Sequence, residues 1–386
     1  MIRSEKIIIF NGPKEEFDKY TEEYQKKDNN IYNLTKLVNL SEQERNVLLL
    51  KIEGQEQPKE KETKFIDLLI VSMNEYSGVT EAVTSNFVNY VSKYSINKII
   101  IQNPPIELTK DIYRQYKQEE IYVHNHVYKK INTQIIKTFC EKSNQVIMGQ
   151  EKALESIAQS LIIQQRLNEE EKPIVILLYG PSGVGKTETG KFLASILGEK
   201  MFYNQFSMFQ NEGHFNYLYG DKVHASSFAK DLLNRTSNVI FLDEFDKANK
   251  YVYSAMYELF DTGIYEDKNF YVNLKNTLII CTSNYDNTKQ ILEHLGSPMF
   301  NRINCCIKYE KLSVDVIKKL IEKNYNKYFA MLSDKEQEYI EMSNIKEKYL
   351  KVAEKLNNAR QIENFIRNDF ATELLTKING KNDNTV

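Results

Sequence analysis

The chain has 386 residues and a formal net charge of −2, from 51 Lys and Arg against 53 Asp and Glu. At roughly 100 to 200 residues per domain, this length allows two or three domains with separate hydrophobic cores. Hydrophobic residues make up 41% and charged residues 27%, which argues against a mainly disordered chain. The balanced charge gives no electrostatic reason to expect binding to nucleic acid or anionic lipid.

Apolar stretches in the chain are too short for a membrane span. The longest uninterrupted run, Ile174–Tyr179, is far shorter than the roughly 20 residues that a helix needs to cross a bilayer. The N-terminus reaches acidic residues at once and lacks the apolar segment of a secretory leader. We therefore expect a cytoplasmic protein. Its four cysteines form no Cys-x-x-Cys pair, which favours buried, reduced thiols.

Residues 1–130 are predicted to form a small α/β domain. Short runs rich in Ile, Val and Leu are typical of strands buried on both faces. Gly78–Tyr94 carries apolar residues at three-to-four spacing, so we predict one amphipathic helix there and hence a βαβ unit. The charged stretch Glu53–Lys64 is predicted to be a solvated loop. The predicted strands are Lys6–Phe10, Val47–Ile52, Phe65–Val71 and Lys98–Gln102.

His124 and His126 stand two positions apart on a possible strand, so both imidazoles lie on the same face of it. The pair is compatible with a metal site, but no third ligand is evident nearby, and ordinary polar strand positions are the simpler interpretation.

From Asn132 the pattern becomes helical, and we predict a linker helix over 131–145. The next helix is predicted over Gln150–Gln165, with an apolar face formed by Ala153, Leu154, Ile157, Ala158, Leu161 and Ile162.

Residues 180–187, Gly-Pro-Ser-Gly-Val-Gly-Lys-Thr, match the phosphate-binding pattern Gly-x-x-x-x-Gly-Lys-[Ser/Thr] in full. The buried strand Ile174–Tyr179 precedes this loop and the helical run Glu188–Leu197 follows it. Backbone N–H groups of such a loop point at phosphate oxygens, and the helix N-terminus adds partial positive charge. We therefore predict that Lys186 contacts the β- and γ-phosphates of ATP and that Thr187 ligates Mg²⁺. The predicted cofactor-binding residues of this segment are Gly180, Pro181, Ser182, Gly183, Val184, Gly185, Lys186, Thr187 and Glu188.

A second apolar strand, Asn238–Leu242, is followed by two carboxylates, Asp243 and Glu244. Taken alone, this pattern is also typical of any strand that leaves a core. After a complete phosphate loop, it indicates the strand that supplies a carboxylate to the metal, so we assign Asp243 to Mg²⁺. Glu244 suits a general base that orients and deprotonates the attacking water.

From about Val146 to Ile378 the chain resembles the Clp-type AAA+ ATPases and is most similar to the second ATPase module of Clp unfoldases and disaggregases. The resemblance implies that Ile147 and Met148 flank the adenine and that Asn284 lies near the γ-phosphate. The segments that carry it are Val146–Gln150, Phe241–Ala248, Phe260–Gly263, Lys275–Asn284, Phe300–Ile303 and Asn358–Arg360.

Two arginines complete the site that this resemblance implies. Arg302 stands in the segment that supplies the arginine finger, and Arg360 stands in the second sensor motif on the small helical domain. Arginine is scarce in the chain, with 8 of the 51 cations, so its presence at both motif positions supports the resemblance. The guanidinium of arginine, whose N–H donors have a rigid planar arrangement, also suits phosphate charge better than the ammonium of lysine does. The catalytic residues implied are Lys186, Glu244, Asn284, Arg302 and Arg360.

The fold class implied is α/β: a P-loop AAA+ module with a parallel αβα sheet and a small C-terminal helical domain, preceded by the small α/β N-terminal domain. The resemblance further implies a homo-oligomeric ring, expected to be a hexamer. The N-terminal domain is expected to recognise the partner. The expected domains are 1–130 for the N-terminal domain, 131–145 for the linker helix, 146–309 for the large ATPase subdomain, 310–378 for the small helical subdomain and 379–386 for the tail.

Two functions are compatible with these motifs. The first is an enzyme that hydrolyses ATP to remodel or unfold a protein partner. The second is a nucleotide-controlled assembly switch or sensor, torsin-like or immunity-type, that recruits an effector without threading substrate. The segment Leu218–Phe228 lacks the aromatic-apolar-Gly pore loop of Clp unfoldases, although Tyr219 is a possible substitute. We also find no tripeptide of the kind that docks Clp unfoldases on a peptidase.

Overall fold

The chain divides into two compact units. The first contains 1–130, 208–238 and 249–277, and the second contains 131–207, 239–248 and 278–386. Two stretches of the expected large ATPase subdomain therefore cluster with the N-terminal residues. The structure is a computed structural model, which describes residues 6–28, 30–52, 64–167, 171–209 and 214–380.

The regular elements alternate between strands and helices through most of the chain. The strands are β1 (Ile7–Asn11), β2 (Ile31–Asn33), β3 (Phe65–Val71), β4 (Ser95–Gln102), β5 (Ile121–Asn125), β6 (Ile174–Tyr179), β7 (Phe202–Gln205), β8 (Val239–Asp243), β9 (Ile264–Glu266), β10 (Tyr271–Asn273), β11 (Leu278–Ser283) and β12 (Cys305–Lys308). The helices are α1 (Lys14–Gln25), α2 (Leu34–Ile52), α3 (Glu81–Ser85), α4 (Phe87–Val91), α5 (Ile106–Gln115), α6 (Thr133–Val146), α7 (Glu151–Ile162), α8 (Lys186–Leu197), α9 (Phe215–Tyr219), α10 (Phe228–Leu233), α11 (Lys250–Thr262), α12 (Thr288–Leu295), α13 (Ser297–Phe300), α14 (Val314–Phe329), α15 (Asp334–Met342), α16 (Ile345–Lys351) and α17 (Ala359–Gly380).

A parallel sheet forms the centre of the first unit. Its described strands lie in the order β2, β3, β4, β1, β5, and all of its pairs are parallel. The inner strands β1, β3 and β4 are rich in Ile and Leu because helices cover both faces of a sheet built from crossover connections. Ile8, Phe10, Phe17, Leu68 and Ile100 pack into one buried cluster on this sheet.

Three of the four strands predicted in this region are confirmed, as β1, β3 and β4, and the parallel pairing of β3 with β4 confirms the βαβ unit. The prediction of a strand over Val47–Ile52 was wrong, because these residues belong to helix α2. Leucine is a strong helix former, and a short apolar run does not distinguish a strand from a buried helix by its period.

The single helix predicted over Gly78–Tyr94 was also wrong, because α3 and α4 are separated at Asn86, where φ is −119° and ψ is 34°. The Asn86 side chain donates to the Ala82 carbonyl (3.3 Å) and so competes with the helical backbone. The break turns Thr84 and Val88 inward and leaves Ala82 exposed. The predicted loop Glu53–Lys64, except for its last residue, lies outside the described residues, as do residues 381–386 of the expected tail.

The remainder of the first unit, 214–238 and 249–277, contacts the N-terminal residues directly. The Ser77 hydroxyl donates to the His224 carbonyl (3.1 Å), and the Ile106 amide donates to the Asn269 carbonyl (2.8 Å). The guanidinium of Arg235 lies 4.0 Å from the centroid of the Tyr128 ring. The first of these contacts holds the segment Leu218–Phe228 against the N-terminal residues of this unit.

The second unit is built on another parallel sheet, with described strands in the order β12, β6, β11, β8, β7. Every residue of β6 and β11 is buried, as expected for inner strands covered on both faces. Strand β6 and helix α8 are confirmed where the sequence predicted them. Helix α7 buries the predicted apolar face except for Ile162, which is 41% exposed and lies directly before the π-helical residues Ile163–Leu167.

The C-terminal residues of the second unit form the helices α14 to α17, whose apolar side chains belong to the same core as the sheet. Ion pairs also link them, Lys327 with Glu363 (2.7 Å) and Lys348 with Asp369 (2.8 Å). The predicted α/β class with a helical C-terminal part is thus confirmed. Among the described helices, none combines the length and the apolar composition that a bilayer span requires. The cysteines are free, as expected, but of the four Cys281 alone is buried, whereas Cys305 and Cys306 are partly buried and Cys140 is exposed.

Candidate active site

The carboxyl ends of three neighbouring strands bring the predicted site residues together. Strand β11 lies between β6 and β8 in the sheet. Strand β6 leads into the phosphate loop at Gly180, β8 ends at Asp243, and β11 ends one residue before Asn284. Ligands of open parallel sheets bind outside the carboxyl ends of the strands, so this edge is the expected location of a site.

Glycine is required at two positions of the phosphate loop. Gly180 has a φ of +128°, and a Cβ there would lie 2.2 Å from the Tyr309 carbonyl oxygen. Gly183 has a φ of +73°, and its Cβ would lie 2.0 Å from Oδ1 of Asn358. A side chain at either position would collide with these atoms, so the loop packs closely only because both residues are glycine.

Lys186 is a buried cation whose partners are neutral. Its Nζ donates to the carbonyl oxygens of Gly180 (2.5 Å) and Pro181 (2.9 Å) and to Oδ1 of Asn284 (3.1 Å). Burial lowers the pKa of the Lys186 ammonium to about 8, and the nearby carboxylates of Asp243 and Glu244 oppose this effect only in part. A buried ammonium destabilised in this way fits an anionic ligand such as phosphate.

Hydrogen bonds fix both carboxylate oxygens of Asp243. The Thr282 hydroxyl donates to Oδ1 (2.5 Å) and the Tyr203 hydroxyl donates to Oδ2 (2.9 Å). Burial and the bond to this carboxylate raise the pKa of Tyr203 to about 12, so its hydroxyl remains a donor at neutral pH. The carboxylate of Asp243 is therefore held in a fixed orientation at the end of β8.

Glu244 has a left-handed backbone, with φ 50° and ψ 43°, which is uncommon for a residue other than glycine. Its N–H donates to the Thr282 hydroxyl (2.8 Å), a contact that stabilises this conformation. Gln205 donates to Oε2 of Glu244 (3.0 Å), and hydrogen bonds from Ser207 and Gln205 lower the pKa of the carboxyl group. Glu244 is therefore ionised at neutral pH, as a general base must be.

Lys186, Asp243 and Glu244 line one cavity of about 700 Å³ in the second unit, a volume within the usual range of small-molecule sites. Asn284 and Arg360 contribute to its wall. Apolar side chains from the linker region and from the helical part also contribute, including Ile147, Met148, Leu312 and Leu320.

Comparison with known protein families identifies the module that contains this cavity. The family described as "AAA domain (Cdc48 subfamily)" matches residues 171–379, more than half of the chain. The chain belongs to this family. Together with the relatives below, the match confirms the expected class, a Clp-type AAA+ ATPase, and with it the expected ATPase activity.

The curated relatives are Clp proteins. The chain is 29% identical over 218 residues to the ClpA homolog protein of Fuscovulum blasticum, which covers 49% of this chain and 28% of that protein. It is 30% identical over 275 residues to the chaperone protein ClpB of Prochlorococcus marinus, and this match covers 62% of this chain and 31% of that protein. The chain thus spans less than a third of the length of these two relatives.

A solved structure of similar fold is the closed state of Hsp104 with ATPγS and FITC casein. The TM-score is 0.51 at 13% identity, with 98% of this chain and 89% of that chain covered. At this identity the likeness concerns the fold alone.

Within the AAA+ module, most of the predicted residues lie at the cavity. Ser182 to Glu188, Ile147, Met148, Asp243, Glu244, Asn284 and Arg360 line it. Gly180 and Pro181 instead contact Lys186 through their carbonyl oxygens. Arg302 is located elsewhere in the second unit, where its guanidinium donates to the Pro298 carbonyl (2.7 Å).

Sequence reasoning missed the residues that orient the carboxylates of the AAA+ site, Tyr203, Gln205, Ser207 and Thr282. Tyr203, Gln205 and Ser207 belong to no motif, and Thr282 lies within the motif segment Lys275–Asn284 without having been assigned a role. Their part in the site is recognisable only once β7 and β11 are placed on either side of β8. Asn358 was also missed as a contact residue, although its place in the motif, where the family has glycine, was a signal.

His124 and His126, the candidate metal pair of the sequence analysis, pack against aromatic rings. The His124 ring packs on the rings of Phe10 (5.1 Å) and Tyr20 (4.7 Å), and His126 packs on Tyr128 (4.6 Å). Throughout the part of the chain that the structure describes, no three His, Cys, Asp or Glu side chains converge as a metal-binding group.

Proposed function

We propose that this AAA+ ATPase binds ATP with Mg²⁺ and uses hydrolysis to remodel a protein partner. The observation that carries the proposal is the convergence of Lys186, Asp243, Glu244, Asn284 and Arg360 on one cavity. A buried cation, an oriented carboxylate, an ionised base and an arginine at one site are the groups that phosphoryl transfer to water requires.

The donor set fits a nucleotide and its metal. Thr187 and Asp243 offer a hydroxyl and a carboxylate, the hard oxygen ligands that Mg²⁺ prefers, and the ion when bound would neutralise phosphate charge. Lys186 would bind phosphate oxygens in place of its neutral partners. Glu244 would accept a proton from the attacking water, and Asn284 would orient that water or the γ-phosphate.

Protein remodelling is supported by an exposed group of aromatic side chains in the first unit. Tyr219 is 45% exposed and Tyr251 is 62% exposed, and the Tyr219 hydroxyl donates to the Tyr251 carbonyl (2.9 Å). Phe215 packs edge-on against the Tyr251 ring at 5.7 Å. Rings of this kind offer a large contact area to a polypeptide at low cost in side-chain entropy. The relatives named as ClpB are chaperones, and the Hsp104 structure includes casein.

The assembly we propose is a homo-oligomeric ring, a hexamer, in the cytoplasm. The N-terminal domain would select the protein partner, and neither a Clp peptidase nor nucleic acid is expected as a partner. In such a ring each heterologous interface lets Arg302 of one subunit reach the nucleotide of its neighbour.

A second candidate function, the assembly switch, is favoured by one observation. The segment Leu218–Phe228, which would correspond to the pore loop, is bonded to the N-terminal residues through the His224 carbonyl, which accepts from the Ser77 hydroxyl. A segment held in this way is less free to move with nucleotide state than a threading loop must be. In that case ATP would control assembly and the recruitment of an effector.

Nucleotide binding is tested by thermal unfolding. MgATP at a hundredfold excess over Kd stabilises a folded protein by about 2.7 kcal/mol. We expect the melting temperature to rise for the wild type and much less for Lys186→Ala. Equal shifts in the two proteins would refute the nucleotide site.

The two candidate functions are separated by Tyr219→Ala, with Tyr113→Ala as the control, since Tyr113 on α5 is also 46% exposed. A threading enzyme should lose partner remodelling in Tyr219→Ala and keep its ATPase rate, whereas a switch should keep both partner binding and assembly.

The partner itself can be captured with Glu244→Gln in ATP, because this variant blocks hydrolysis and holds the ATP-bound state.

A further inference from the structure

Asn358 joins the phosphate loop to the helix that carries Arg360. Its Nδ2 donates to the Ser182 carbonyl (3.3 Å), and the following amide, Ala359 N, donates to the Gly183 carbonyl (3.0 Å). Its Oδ1 accepts from the backbone N–H groups of Arg360 (3.0 Å) and Gln361 (3.3 Å). The two ends of one amide therefore contact two different parts of the site.

The fit between Asn358 and the loop is close. Gly183 has room for Oδ1 of Asn358 only because it lacks a side chain, since a Cβ would lie 2.0 Å from that atom. The loop and the first turn of α17 are thus in direct contact through main-chain and side-chain atoms. A shift of the loop when phosphate binds must be transmitted to α17 or must break these bonds.

We propose that Asn358 is a positioning residue for ATP hydrolysis, which couples the phosphate loop to the orientation of Arg360. This proposal rests on the proposed nucleotide site. The Clp motif that the chain resembles has glycine at this position, which offers neither the acceptor for the helix N-terminus nor the donor for the loop. Asn358 adds both, so we infer that the geometry of Arg360 depends on this side chain.

Two substitutions separate the contact with the loop from the capping of α17. Asn358→Ser and Asn358→Asp each keep a side-chain oxygen that can accept from the helix N-terminus, because serine, aspartate and asparagine are similarly good N-caps. Both remove the Nδ2 donor to Ser182. If Asn358 only capped the helix, both variants would hydrolyse ATP at the wild-type rate.

For Asn358→Ser we expect kcat to fall about five- to tenfold, the range that corresponds to one hydrogen bond, with the Kd for ATP changed by less than about threefold. In Asn358→Asp the added negative charge should also weaken ATP binding, because it lies beside the phosphate loop. The matched control is Asn132→Ser, since the Asn132 side chain caps α6 by accepting from Ile135 N. This control should retain wild-type kcat and Kd.

A double-mutant cycle with Arg360→Ala decides whether Asn358 acts through the arginine. Residues that act as one unit are non-additive, so Asn358→Ser should reduce kcat little further once Arg360 is alanine. Unchanged kcat in both Asn358 variants, or a full additional loss in the Arg360→Ala background, would overturn the proposal. If the wild type itself neither binds nor hydrolyses ATP, the proposed function fails instead, and thermal unfolding of each variant shows that it is folded.

Discussion

Nζ of Lys186 lies 3.1 Å from Oδ1 of Asn284, although 98 positions separate the two residues in the chain. The contact exists because β6 and β11 are neighbours, with Ser283 of β11 paired with Tyr179 of β6. Lys186 of the phosphate loop and Asn284, the polar residue that follows β11, therefore lie next to each other at the carboxyl ends of β6 and β11. A phosphate bound there would contact both, and this shared location motivates the first prediction.

ATP affinity is expected to decrease at alkaline pH through Lys186. Its pKa is about 8 in the free protein, because burial disfavours the charged form. Below pH 8 the ammonium is already charged, whereas above pH 8 phosphate binding must take up a proton. We therefore expect the Kd for MgATP to be about tenfold higher at pH 9 than at pH 7, measured by calorimetry together with proton uptake.

The control for this prediction is Lys186→Arg, whose guanidinium stays charged over the same range. Whatever its absolute affinity, the arginine variant should lose the pH dependence. A wild-type Kd that is constant from pH 7 to 9 would mean that the lysine is charged throughout.

Glu244→Gln is expected to bind ATP and to hydrolyse it at least about a hundredfold more slowly, because the amide keeps the shape of the side chain but is not a base. The hydrogen bonds that lower the pKa of Glu244 show that the carboxylate is ionised and available at neutral pH. Single-turnover hydrolysis measures the effect. Glu258→Gln, at an exposed position of α11, is the matched control, and near-normal turnover in Glu244→Gln would assign the base to another group.

Arg302 is expected to act on the nucleotide of a neighbouring subunit. Its guanidinium donates to the Pro298 carbonyl, in a part of the second unit distinct from the cavity wall. An arginine that stabilises the transferring phosphoryl group is worth about 10³ to 10⁵ in rate. Arg302→Ala should thus bind ATP nearly normally and hydrolyse it poorly, while Arg367→Ala, on the exposed side of α17, should hydrolyse it normally.

Mixing two inactive proteins tests whether that action is in trans. In a mixed ring of Arg302→Ala and Lys186→Ala subunits, an intact phosphate loop can face an intact arginine of the next subunit, so part of the activity should return. Co-assembly without any recovery would leave Arg302 as a residue of its own site or of the fold.

Tyr128→Ala is expected to destabilise the first unit. The Tyr128 ring lies 4.0 Å from the guanidinium of Arg235, which is only 5% exposed, so the ring covers a desolvated cation. Such a contact is worth about 2 kcal/mol, and denaturant unfolding should show a loss of this size. Tyr113→Ala, which removes a half-exposed ring, should change the free energy of unfolding by less than about 0.5 kcal/mol. Equal losses in the two variants would contradict the stabilising role.

The sequence by itself determined the elements that have a strong local pattern. The phosphate loop between a buried strand and a helix was predictable because its glycines, lysine and threonine stand at fixed spacing. Strand β8 with Asp243 and Glu244 was predictable for the same reason. The α/β class of the N-terminal domain followed from strands rich in Ile and Leu that alternate with amphipathic helices, since this pattern is typical of a sheet covered on both faces. The αβα sheet of the AAA+ module was implied by the resemblance to Clp-type ATPases.

Where the local pattern was weak, the sequence was not sufficient to predict the secondary structure. Val47–Ile52 has a composition that suits both a strand and a helix, and the structure places these residues in the last turns of α2. The break at Asn86 depends on one side-chain bond, which the period of the apolar residues does not reveal.

The tertiary structure alone decided which side chains orient the carboxylates of Asp243 and Glu244. Thr282, Tyr203 and Gln205 reach Asp243 and Glu244 because the order of strands in the sheet places β7 and β11 beside β8. That order is set by long-range pairing and packing, which leave no periodic trace in the sequence. The partners of the predicted catalytic residues, and the pKa values that follow from them, are therefore properties of the fold.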